Sequence, residues 1–270
     1  MQLFPFSALA SFLILQIPYL ASAILLDPLP IHADPIDIKF QPVMDFDKDS
    51  CYNIAAVDAS GTIDVGLDPS VATIKGCRDL KRLAHSNAYS RHKCNRGWCA
   101  IIYAYYFEMD SVDLVFTNAG HRYDWEHVVV WVKDNTAKYV ATSAHGDFPT
   151  YTTDQVRFFQ DTHAKIVYHK DGVQTRSMRL AKQKDEKIEN HLGTWFLSPL
   201  VGWNGFPSDS VRNALVSHDF GHAHMQFEDS SIGGMLAKSM PKEAANDEFD
   251  CAYDDGSQTF GSRRGEVFVG

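Results

Sequence analysis

Positive charge is scarce in this chain. Lys and Arg number 25 against 34 Asp and Glu, a net charge of −9 at pH 7. Without a basic surplus it lacks the field that non-specific nucleic-acid binding needs, and it has no bulk attraction to anionic lipid. No N-x-S/T acceptor occurs, so N-linked glycans are not expected. No G-x-S-x-G, H-E-x-x-H, Walker loop or paired C-x-x-C is present, which removes the common signatures of serine hydrolases, zincins, P-loop NTPases and zinc ribbons. Beyond residue 23 no stretch approaches the roughly 18–20 apolar residues of a membrane span. Cysteines number five, an odd count that leaves one thiol over from any set of bridges.

What is present begins with a leader. From Leu3 to Ala23 the chain is almost wholly apolar, carries no charged side chain, and ends in Ala21-Ser22-Ala23. This reads as a secretory signal over residues 1–23. Pro5, Pro18 and the small-residue ending argue against a membrane anchor. Residues 24–36 carry three prolines and read as an extended lead-in. An overall 45% hydrophobic and 22% charged content suits one globular unit, placed at residues 37–245, with residues 246–270 as a C-terminal tail.

The periodicity is mainly that of strands. Ile36 to Val43 alternates moderately. Trp98 to Phe107 (WCAIIYAYYF) is apolar in both phases, the pattern of a strand covered on both faces. Trp125 to Val132 and Tyr139 to Ser143 flank Lys133-Asp134-Asn135-Thr136, a hairpin signal. His163 to His169 is a further strand. Short helices are expected at Arg78 to Ala84, at Ser208 to His218 with its capping serine, and at Gly233 to Met240. The charged run 181–190 reads as a solvated loop. The fold expected is a single β-sandwich with a few short helices.

The densest polar cluster, Gly120-His-Arg-Tyr-Asp-Trp-Glu-His127, lies inside the most apolar region. On a strand Asp124 and Glu126 share a face with Val128 and Val130, while Trp125, His127, Val129 and Trp131 share the other. Two half-buried like charges repel and resist desolvation, and a bound cation removes both penalties. His121 reaches the same point from a turn. Asp110 or Asp113, at the end of the preceding strand, supplies a third carboxylate. Such a donor set suits Mg²⁺, Ca²⁺ or Mn²⁺ better than Zn²⁺. Surface salt bridging with Arg122 as partner is the plainer reading of the same residues. Asp45, Asp47 and Asp49 suggest a calcium loop, but Ser50 and Ala56 at its sixth and twelfth positions exclude an EF-hand. His218, His222 and His224 would chelate zinc only if a helix turned sharply into a strand.

Residues 98–131 resemble the central region of the necrosis- and ethylene-inducing-peptide-like proteins, the NLP cytolysins. Their heptapeptide GHRHDWE reads GHRYDWE at Gly120–Glu126. GCRD at Gly76–Asp79, SAHG at Ser143–Gly146 and WNGFP at Trp203–Pro207 follow in the family's order, so the likeness runs from about Ile36 to Met240. It implies a secreted β-sandwich similar to the actinoporins, with a divalent cation in an edge cavity. It also implies binding to the sugar headgroups of plant glycosyl inositol phosphoryl ceramides. By position Asp110 (alternatively Asp113), His121, Asp124 and Glu126 take the cation, while His145, Arg122 and Trp125 belong to the headgroup cavity. The four-cysteine class of the family pairs Cys51 with Cys77 and Cys94 with Cys99, leaving Cys251 free. The segment Ala100–Glu126 is similar to the peptide pattern that plant surface receptors perceive. A monomer is implied, with no catalytic residue. The alternatives are a non-cytolytic, immune-recognised effector, and a metal-dependent hydrolase or phosphodiesterase using His121 or His127 as base. Tyr123 replaces the motif's second histidine. On strand phase it faces away from Asp124 and Glu126, and it cannot become cationic near neutral pH.

Overall fold

The computed structural model describes residues 25–113, 118–172 and 175–256; the expected signal segment lies outside the described residues. The strands are β1 (Val43–Phe46), β2 (Ala88–Asn95), β3 (Trp98–Asp113), β4 (Asn118–Lys133), β5 (Thr136–Thr142), β6 (Thr150–Thr152), β7 (Phe158–Phe159), β8 (His163–Asp171), β9 (Thr175–Leu180) and β10 (Leu200–Gly202). The helices are α1 (Pro35–Phe40), α2 (Ile74–Cys77), α3 (Leu80–Ala84), α4 (Asp209–Val216), α5 (Asp229–Ser239) and α6 (Lys242–Asn246). A six-stranded sheet runs β10-β2-β3-β4-β5-β6, antiparallel except where β10 joins β2. A smaller sheet is built on β8, with β1 parallel to it and β7 and β9 antiparallel.

The large sheet is covered twice. One face carries Ile101, Tyr103, Tyr105, Phe107, Val128 and Val130, which interlock with Met44, Phe46, Ile166 and Tyr168 of the small sheet. Phe107 and Tyr168 stack with ring centres 3.8 Å apart. The other face carries Trp98, Ile102, Tyr106, Val129 and Trp131, packed under Val211 and Leu215 of α4 and Ile232, Met235 and Leu236 of α5. The double burial read from Trp98–Phe107 therefore holds, and its second cover is helical.

Some expectations are corrected. Ile36 to Val43 is not a strand: Asp34 precedes Pro35 at the first helical position, and α1 buries Ile36, Asp37 and Phe40. The run 181–190 is not simply solvated. It forms a 3₁₀ turn at Gln183–Glu186, where Asp185 receives Arg179 and Glu186 receives Arg157 and Lys165. The neighbouring cations hold the Glu186 carboxyl down at about 2. The C-terminal segment is woven in as far as Gly256. Phe249 packs on Trp131, Asp247 accepts from the Trp98 indole, and Asn95 donates to the carbonyls of Asp250 and Tyr253.

Two disulfides are present, Cys51–Cys77 and Cys94–Cys99, and Cys251 is free. Cys94 and Cys99 are direct partners in the β2–β3 ladder, so the bridge closes that hairpin. Beside Cys77, the Arg78 guanidinium donates to the carbonyls of Phe46, Asp47, Ser50 and Glu189 and lies over the Tyr52 ring. One cation thus gathers the end of β1, the loop after it and the segment before β10. Replacing it with Arg78→Met strands several buried carbonyls, each costing about 1–3 kcal/mol when unsatisfied. Denaturant unfolding is expected to show a loss of about 3 kcal/mol or more.

α1 is tied to β2 through Asp37, which is 1% exposed and accepts from Ser90 Oγ (2.7 Å) and His92 Nδ1 (2.6 Å). Burial opposes charge on His92, but the hydrogen bond and charge of Asp37 outweigh it, with Asp34 and Asp254 adding, and its pKa is raised. The stability this pair supplies is full below about pH 6.5, the unfolded value, and is lost as pH rises through the higher folded value. The stability gap between wild type and His92→Gln is therefore expected to narrow between pH 6 and 8.5 in denaturant titrations.

Candidate functional site

The ladder between β3 and β4 is regular up to Phe107↔Asp124 and then slips. Met109 pairs with both Tyr123 and Arg122, and the register resumes at Asp110↔His121. Tyr123 sits at φ 65°, in the left-handed region where few side chains settle. This bulge swings His121 beside Asp110, with Nε2 3.8 Å from Oδ2. Gly120 makes the approach possible. At φ 143° its Cα lies so near the Asp110 carbonyl that a Cβ would stand 1.9 Å from the oxygen.

Here the two sheets part, leaving a cavity of about 280 Å³. Asp110, His121, Asp124, Trp125, Glu126, Ser143, His145, Thr175 and Arg176 line it, and the segment carrying His222, Ala223, His224 and Gln226 roofs it. Asp124 accepts from the Tyr168 hydroxyl at 2.8 Å, Glu126 accepts from the Ser143 hydroxyl, and Asp110 takes a long 3.4 Å bond from the Arg176 amide. The Arg176 guanidinium is spent elsewhere, on Ser111 O, Ser50 Oγ and Asp49.

Electrostatically the floor is under-compensated. Burial raises the Asp110 carboxyl against the pull of His121 and Arg176. Burial and then the Asp110 charge push Asp124 far up, and burial and then the Asp124 charge do the same to Glu126. Asp110 Oδ1 and Trp125 Nε1 are buried with no hydrogen-bond partner among the described residues. His121 is oriented as a ligand. Its Nδ1 lies 2.8 Å from the Tyr123 carbonyl, which can only accept, so Nδ1 is the donor and, in the neutral imidazole, Nε2 is the nitrogen free to coordinate. Three oxygen donors and one such imidazole fit a hard divalent cation. Among the described residues, the one group whose three ligand atoms lie within 4.8 Å of one another is Asp34, Asp37 and His92. That group is the buried ion pair tying α1 to β2. The cavity floor is spread more widely, which leaves part of a cation's shell to water or to a ligand's oxygens.

The structure therefore brings Asp110, His121, Asp124, Glu126 and His145 to one cavity. His145, in the turn Ser143–Gly146, lies 3.2 Å from Asp171 at the rim. Trp125 lines the wall from an aromatic nest with Tyr89, Tyr106 and Phe220. Arg122 is not in the cavity. It points to the 58–72 loop, donating to the Val65 carbonyl at 2.9 Å and standing 4.0 Å from Asp68. Asp113 pairs in register with Asn118; its side chain lies outside the described residues. The Asp45, Asp47 and Asp49 series is engaged by Asn190, Arg179 and Arg176 respectively. His127, a candidate base for a hydrolase, borders the cavity but is almost fully buried, with Nε2 on the Met225 carbonyl, and burial presses its pKa down to about 4. Arg176, which lines the cavity, and Tyr168, which donates to Asp124, come from distant strands that local pattern does not mark, whereas His222 and His224 belong to the histidine series read from the sequence.

A family profile described as Necrosis inducing protein (NPP1) matches residues 34–239. The chain belongs to this family. NLP effector protein 10 of Phytophthora capsici is 31% identical over 208 residues, 75% of this chain and 81% of that protein. Among solved structures, Necrosis and Ethylene inducing Protein 2 from the causal agent of cocoa's Witches Broom disease superposes with a TM-score of 0.67 at 28% identity, covering 80% of this chain and 95% of that one. The non-toxic HaNLP3 protein gives 0.65 at 28% identity over 80% and 97%. NLPPya in complex with glucosamine gives 0.64 at 26% identity over 80% and 99%. The relatives include the necrosis-inducing protein NPP1 of Phytophthora nicotianae, 30% identical over 200 residues, 72% of this chain and 78% of that protein, and no helix among the described residues is long and apolar enough to cross a membrane.

Tyr123, the departure from the NPP1 heptapeptide, packs on the far side of the sheet against Tyr106, Phe220 and His218. If the floor holds a divalent cation, Tyr123→His is expected to leave its affinity within about twofold in calorimetric titration, whereas Glu126→Gln, which removes a floor carboxylate, is expected to weaken it by about tenfold or more.

Proposed function

We propose that this NPP1-family chain is a secreted effector that docks on plant plasma membranes through a divalent cation, Mg²⁺ or Ca²⁺ with Mn²⁺ as a third candidate. Asp110, His121, Asp124 and Glu126 would hold the ion, and its remaining coordination sites would take hydroxyls of a sphingolipid sugar headgroup, that of the glycosyl inositol phosphoryl ceramides. The observation that carries this reading is the floor itself: three buried carboxyls raised together, one with an orphan oxygen, at the base of an open cavity. A bound cation would replace mutual repulsion with attraction there. The ligand class follows from the cavity's size and from the amino-sugar complexes of NLPPya, with glucosamine and mannosamine. Within this scheme the chain's own residues position and exclude. Ser143 and Tyr168 orient the two innermost carboxylates, the Tyr123 carbonyl fixes the His121 tautomer, and the aromatic nest behind Trp125 keeps water from the rear of the site.

Calcein-loaded vesicles containing the plant sphingolipid test it. Binding or release is expected with Mg²⁺ or Ca²⁺, to vanish in EDTA, and to return on adding the ion back. Binding that ignores both EDTA and the sphingolipid would overturn the reading. Metal-dependent turnover of a phosphodiester, lost in Glu126→Ala, would put a hydrolase in its place.

A further inference from the structure

The cavity has a roof whose chemistry differs from its floor. After α4 ends at Val216 the chain turns sharply and Asp219–Gln226 crosses the cavity mouth. Phe220 anchors the segment, edge-on to Tyr123 at 5.2 Å and to Trp125 at 5.5 Å. Beyond it burial alternates: Ala223 and Met225 are buried while His222 and His224 are exposed. The two imidazoles thus project to one side, and both line the cavity. His218 does not join them; it packs at 4.6 Å on the Phe220 ring.

From the floor, His121 comes up to meet this pair. Its ring centre is 5.9 Å from that of His222. Two imidazoles sharing one tetrahedral ion, with metal–nitrogen bonds of about 2.0–2.1 Å, have ring centres about 5 Å apart. As they stand the three imidazoles are not within 4.8 Å of one another, and the exposed His222 and His224 side chains must rotate to meet one ion. His121 presents Nε2 as its lone-pair nitrogen, because Nδ1 is held by the Tyr123 carbonyl. Asp110 Oδ2, 3.8 Å from that nitrogen, stands next to the fourth position.

We propose that the mouth of the cavity is a second metal site, for an imidazole-preferring divalent ion of the zinc class, with His121, His222 and His224 as its ligands. Nitrogen donors favour such an ion over Mg²⁺ or Ca²⁺, which take oxygen. Bound there, it pins the roof segment to β4 and competes with an ion on the floor for His121. The site shares His121 with the headgroup reading but needs neither Asp124 nor Glu126, so the two can fail separately.

The test is calorimetric titration of the chelator-stripped full chain with ZnCl₂ and, separately, CaCl₂. The proteins compared are wild type, His222→Ser, His224→Asn, the double variant and Asp124→Asn. Both histidines are exposed, so folding is not at stake. Zinc affinity is expected to fall by about 100-fold in the double variant, and by less in each single one, with calcium binding unchanged. In Asp124→Asn the reverse is expected: calcium binding is lost and zinc binding persists. X-ray absorption at the zinc edge should show three nitrogen neighbours. Native zinc affinity in the double variant, an all-oxygen zinc shell, or no zinc binding by wild type would each overturn the proposal. Failure of calcium binding alone overturns the floor reading and leaves this one standing.

Discussion

Strands β3 and β4 are covered on both faces, and the rest of the molecule is arranged around that constraint. A strand with no solvent face must satisfy each polar group within the protein. Most are satisfied. Glu108 is fully buried and takes a two-pronged ion pair from Arg82, the Tyr106 hydroxyl donates to Asp64, and His127 meets the Met225 carbonyl. Only where the cover ends, at the slipped register around Met109, do carboxylates accumulate without cations of their own. The cavity is thus the place where a doubly buried hairpin runs out of internal partners.

Much of this was legible in the residues because it is local. The two-phase apolar run of Trp98–Phe107, the Lys133–Thr136 turn and the shared phase of Asp124 and Glu126 follow from a period of two. The bulge was not legible. It depends on Gly120 meeting a carbonyl on another strand, a contact with no signature beyond the glycine itself. Nor were Tyr168 and Arg176, which come from the small sheet and look like ordinary strand residues in isolation. α1 was misread because Ile36, Asp37 and Phe40 suit a strand edge as readily as a short helix, and only the Asp34-Pro35 start distinguishes them. The charged run at 181–190 misled in the opposite direction, since long-range partners turn apparent solvation into anchorage.

Tyr123, the departure from the family heptapeptide, lies on the side of the hairpin away from the carboxylates. Tyr123, His218 and Phe220 form a continuous aromatic contact behind the heptapeptide, and the roof segment hangs from it. Tyr123 therefore bears on how the roof is suspended and not on the oxygen donors in front. The fold is shared with the family's solved structures.

The free thiol of Cys251 is half-buried beside Met240, and burial pushes its pKa up to about 11. The doubly covered hairpin has a less obvious consequence. Every side chain from Ala100 to Met109 is essentially sealed from solvent. Further along, the same hairpin surfaces: Gly120 and Arg122 are exposed and His121 and Tyr123 half-buried, so on the intact molecule the heptapeptide is the part that faces outward.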